Sequence, residues 1–126
     1  MTGKKYQYID LTYMYEIADD DLAFVREMLA SFIEKIPPQF EQLLNSAVVS
    51  DYKQTSFLAH KLKASYQLMG VKLLADMAYR IEVDSAENPE PAILELVQSM
   101  KPLVDLAIGE LQTELALIPL KPSSDL

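Results

Sequence analysis

The side chain in this sequence best suited to nucleophilic chemistry is His60, the chain's single histidine. A neutral imidazole nitrogen is a good nucleophile near neutral pH and can take a phosphoryl group when an in-line approach is open to it. Lys63 lies one helical turn further on, where an ammonium can offset the charge of a bound phosphoryl group. Composition closes off several other chemistries. There is no cysteine, so disulfides, thiolate catalysis and Cys-ligated metals are excluded, and one histidine cannot build a His-rich zinc site. No Gly-rich loop for nucleotide phosphates is present, so autophosphorylation is not expected. Asp84, Glu87 and Glu90 are candidates for paired-carboxylate catalysis by type only. They fall at or near a helix end and loop, where solvated charge is the ordinary role.

A histidine with this job needs a helix that keeps it out of the core. On a wheel of about 100° per residue, Leu58, Leu62, Ser65 and Met69 fall opposite His60 and read as the core stripe, with small Ser65 admitting a neighbouring helix. The face around His60 carries Lys53, Ser56, Phe57, Lys63, Ala64 and Gln67. It is mostly polar, so His60 is expected to face solvent. Ala64 keeps the approach clear, and Phe57 is an exposed aromatic suited to anchoring a docking protein. Taken singly, a surface histidine is usually just a surface residue, Lys61 and Lys63 are solvated charges, and Phe57 is a core-edge ring.

The remaining elements follow from spacing and punctuation. Ile9 to Ala18 reads as a short helix with Asp10 as N-cap. Asp19-Asp20-Asp21 reads as the cap and first turn of the next helix, where negative charge suits the dipole. A cation site is disfavoured there because three consecutive helical residues point in different directions. From Asp20 the apolar positions Leu22, Val25, Leu29, Phe32, Ile33 and Ile36 recur by threes and fours, then continue in phase past Pro37-Pro38 through Phe40, Leu43, Leu44 and Ala47. A preserved phase predicts one long helix, kinked at the prolines. A helix starts at Ser50-Asp51, with Asp51 and Gln54 as a capping pair, and runs to Met69, where Gly70 stops it. The next spans Val71 to about Ala86 on Leu74, Met77, Ala78 and Ile81. Asn88-Pro89 marks the last start, and that helix runs to about Leu117 on Ile93, Val97, Met100, Val104, Ala107, Leu111 and Leu115, bending at Pro102.

Short connections make successive helices antiparallel neighbours. The expected fold is all-α, an up-down antiparallel four-helix bundle with a short extra N-terminal helix. The 126 residues suit one domain, half of them hydrophobic, with a core at about 9–117 and a polar tail over 118–126. Met1 to Lys5 and Lys121 to Leu126 are expected to be loose. A formal net charge of −8 opposes binding to nucleic acid or anionic membrane. No signal peptide or membrane span is visible, so a soluble cytoplasmic protein is expected.

The run His60-Lys61-Leu62-Lys63-Ala64-Ser65, with Ala59 before it and Gly70 and Leu74 after it, resembles the signature of histidine-containing phosphotransfer (HPt) domains. The layout over roughly residues 9 to 117 is similar too, from the Asp-rich start at Asp19 through the Phe32 segment and the Asp51 start to the Leu74–Glu82 helix. The resemblance implies that His60 is the phosphorylated residue and Lys63 the basic residue that steadies the phosphoryl group. It also implies that Glu82, on the following helix, contacts the imidazole and sets its tautomer. The implied partners are response-regulator receiver domains and a hybrid histidine kinase, with no cofactor in this chain and Mg²⁺ only in the receiver. Ala64 departs from the glycine that many members carry four residues after the histidine, and adds a methyl where a partner backbone comes close. The alternative is a helical adaptor of the same fold that docks a receiver or kinase without carrying phosphate.

Overall fold

The computed structural model describes residues 6–120, so the expectations for the two chain ends lie outside the described residues. Five helices follow in order: α1 Thr12–Ile17, α2 Leu22–Val48, α3 Tyr52–Met69, α4 Lys72–Glu87 and α5 Ala92–Leu117. Packing runs around a ring in chain order, α2 on α3, α3 on α4, α4 on α5 and α5 back on α2. This is the expected four-helix bundle, with α1 laid against α3. Among the described residues no helix is long and apolar enough to cross a membrane.

The start and stop signals act locally. Asp51 caps α3 by accepting from the Gln54 amide at 3.3 Å, and Gly70 ends it in the left-handed conformation at φ 70°. Helix α2 passes Pro37 and Pro38 without interruption. Both prolines are exposed, and each removes one amide donor from the helix ladder.

Several local readings are corrected. Helix α1 starts at Thr12, with Asp10 Oδ1 accepting from the Thr12 amide at 3.0 Å outside the helix. Of the acidic run, only Asp21 caps α2; Asp19 and Asp20 sit at φ 53° and 58° in the turn, a conformation aspartate tolerates because its side chain can hydrogen-bond locally. Asn88 closes α4 through its amide to the Asp84 carbonyl, so it cannot open α5, and Pro91 with φ −59° takes that position. The core face of α3 is Thr55, Leu58, Ala59, Leu62, Tyr66 and Met69, while Ser65 is only half-buried and Leu22 of α2 is exposed. Ile118, expected in the polar tail, is buried.

The N-terminal segment is held down by two acidic residues of α5. Glu110 accepts from the amides of Gln7, Tyr8 and Ile9 at 3.1, 2.9 and 3.0 Å. Glu114, only 3% exposed, accepts from the hydroxyls of Tyr6 at 2.7 Å and Tyr15 at 2.5 Å. Burial, then the hydrogen bond to Glu114, push both phenols well above their ordinary range, so they stay neutral donors. Arg26 adds a tie from α2 to the end of α5 through the carbonyls of Leu115 and Ile118. Glu114→Ala strands the buried Tyr15 hydroxyl, and denaturant unfolding should register a loss of about 1–3 kcal/mol. An unchanged unfolding midpoint would show that Glu114 does not anchor this segment.

Candidate functional site

Helices α3 and α4 are antiparallel neighbours joined by only two residues, Gly70 and Val71, and this hairpin sets the site. The left-handed Gly70 turns the chain, and the Val71 amide reaches back to the Tyr66 carbonyl. The register then brings Glu82 of α4 against the polar face of α3. Ser56 Oγ donates to the Glu82 carbonyl at 2.9 Å, which locks that register one turn below His60.

His60 projects into solvent, with its side chain 64% exposed. Its Nδ1 lies 2.8 Å from Glu82 Oε2, and the other oxygen, Oε1, accepts from Lys63 Nζ at 3.0 Å. One carboxylate thus bridges the imidazole and the ammonium. Lys63 and Glu82 are both three-quarters covered, at 20% and 23% exposure. An ionised carboxylate only accepts hydrogen bonds, so the facing nitrogen must donate. Neutral His60 therefore carries its proton on Nδ1 and keeps the Nε2 lone pair free.

Burial raises the Glu82 carboxyl, but hydrogen bonds from Lys63 and His60 outweigh it and hold the group below its ordinary 4.5. A carboxyl depressed on folding stabilises the native state above its unfolded value, and that contribution is lost as pH falls through its folded value. A carbon-detected titration of Glu82 should give a midpoint below 4.5, rising in Lys63→Met. A midpoint at or above the ordinary value would contradict the bridge.

The other residues of this face are distributed unevenly. Lys53, Phe57, Ala64 and Gln67 are exposed, and Lys61 Nζ stands 5.5 Å from the Phe57 ring centroid. Ser56 is half-buried and turned into the α3–α4 contact rather than presented outward. Asp84 faces Arg80 at 3.5 Å on its own helix, and Glu87 and Glu90 are exposed beside the α4–α5 loop, as solvated charges are. Sequence reasoning missed Tyr79, whose ring centroid is 5.0 Å from Lys63 Nζ. Its spacing three residues before Glu82 was the available signal, since such pairs share a helix face.

A family model of the Hpt domain matches residues 27–117, most of the four-helix bundle, including His60, Lys63 and Glu82. The chain belongs to the Hpt domain family. Hpt domains are phosphotransfer carrier modules of two-component signalling, not kinases, and they interact with receiver domains and histidine kinases. The match begins within α2, so the tethered N-terminal segment and α1 of this Hpt protein lie outside it. Searches among curated proteins and among solved structures return no match.

Proposed function

We propose that His60 is the phosphoryl acceptor and donor of a phosphorelay, exchanging the group with aspartyl-phosphate receiver domains. The observation that carries the reading is the Glu82 carboxylate on Nδ1 of an exposed His60, which leaves Nε2 outward with its lone pair. Nε2 attacks the phosphorus, a nitrogen–phosphorus bond forms, and the bond from phosphorus to the receiver's aspartyl oxygen breaks. The aspartate leaves as its carboxylate. The proton stays on Nδ1, and the positive charge gained by the ring is met by Glu82, which already accepts from it. Lys63, held on the same carboxylate, supplies a cation for the incoming phosphoryl charge. Transfer to a second receiver runs the same step backwards.

Phe57 and Gln67, with Lys53, Ala64 and the rim around Ser56, form the surface that a receiver covers in this proposal. The receiver provides Mg²⁺ and its own acidic groups, and this chain needs no cofactor of its own. A hybrid histidine kinase is a further partner, and the exchange is cytoplasmic. The test is incubation with a receiver carrying labelled aspartyl phosphate. Label should move to this chain in an acid-labile, alkali-stable bond. A receiver that binds but never transfers label would contradict the proposal and leave the adaptor reading.

A further inference from the structure

Among the described residues Lys63 is the lysine hydrogen-bonded to Glu82 beside His60, yet a lysine is a poor fixed charge. Its four-carbon stem has high rotamer entropy, and its ammonium is free to follow any nearby anion. Glu82 alone is an inconstant anchor for it. The same carboxylate accepts from His60 Nδ1, and once the imidazole becomes cationic its claim on that carboxylate strengthens. The second contact of the Lys63 ammonium is the face of Tyr79, at 5.0 Å from the ring centroid, within the range of cation–π attraction. The two contacts come from neighbouring positions on one face of α4. Tyr79 is 56% exposed, so the core does not account for a large aromatic at this position.

We propose that Tyr79 is a positioning residue of the phosphotransfer site, holding the Lys63 ammonium beside His60 when the stronger claim of the cationic ring on Glu82 weakens the carboxylate's hold on Lys63. A neutral π-face suits this task. It restrains the ammonium without adding an anion that competes with the phosphoryl group. The proposal rests on the reading of His60 as the phosphoryl acceptor. It also implies that the ring matters and the phenolic hydroxyl does not.

The test is single-turnover transfer from a phosphorylated receiver at saturating concentration, so that docking affinity drops out. Tyr79→Leu should slow transfer about two- to fivefold, the range of an exposed cation–π contact. Tyr79→Phe should run at the wild-type rate, and in a Lys63→Met background Tyr79→Leu should add nothing. A wild-type rate for Tyr79→Leu, equal slowing in both backgrounds, or a Phe variant as slow as Leu would overturn the proposal. A partner-free readout accompanies it. The ε-methylene protons of Lys63 should carry a ring-current shift that Tyr79→Leu abolishes and Tyr79→Phe keeps, and its absence from the wild type would overturn the placement. An intact shift with no phosphoryl uptake by the wild type would instead overturn the reading of His60 on which the proposal rests.

Discussion

His60→Gln is expected to lose phosphoryl uptake completely while the bundle keeps its stability. The loss is total because this chain has no second histidine and no cysteine to take over. The nearest hydroxyl of the same face, Ser56 Oγ, is engaged with the Glu82 carbonyl. A glutamine amide has no lone pair basic enough to accept the group. Stability should hold because His60 is mostly exposed and its hydrogen bond is to Glu82, which retains Lys63. A surface change of this kind moves unfolding by less than about 0.5 kcal/mol. Thermal melting followed by circular dichroism, run beside the label-transfer assay, separates the two effects. Residual uptake in a folded variant would mean that the acceptor is another residue.

Gly70→Ala is expected to destabilise the protein most among single-methyl changes. The residue sits at φ 70°, where an L side chain is strained by about 1–2 kcal/mol. The added Cβ would lie 2.0 Å from the Asp10 carbonyl oxygen and 2.7 Å from its carbon. These are backbone atoms, not the end of a side chain that can swing away. The N-terminal segment would have to lift, stretching the bond from the Asp10 amide to the Met69 carbonyl at 3.1 Å. It would also loosen α1, whose Met14 and Tyr15 belong to the core. A total of about 3 kcal/mol is expected, a fall of roughly ten degrees in Tm for a domain of this size. Gly109 is the matched control. It lies inside α5 with nothing within 4 Å of a built Cβ, so Gly109→Ala should stabilise by up to about 1 kcal/mol through helix propensity. Equal effects at the two glycines would contradict the close approach of Asp10.

The features legible in the sequence were those with a local or periodic signature. Asp51, Gly70 and the continuous phase across Pro37-Pro38 each act through neighbours within a turn or two, and the structure follows them. The orientation of His60 followed from the wheel. Its partner Glu82 followed only from family resemblance, because a contact across 22 residues has no periodic trace of its own. The tether of the N-terminal segment had neither kind of signal. Glu110 and Glu114 meet residues about a hundred positions away, and only the folded ring of helices brings them together. One clue was present. The apolar stripe of α5 continues from Leu111 to Glu114 and Ile118, and both are buried, whereas Leu115 is only partly so. A charge at a core position demands a partner, and Tyr6 and Tyr15 are that partner. The wheel puts Ser65 in the core stripe of α3, whereas the structure buries its neighbour Tyr66 fully.

The chemistry of transfer turns on which atom takes the phosphoryl group. Nitrogen NMR of imidazole-labelled protein, phosphorylated by a receiver, reads this directly. The prediction is phosphorus coupling at Nε2 of His60, with Nδ1 still protonated against Glu82. Coupling at Nδ1, or a phosphoryl group on any other residue, would contradict it.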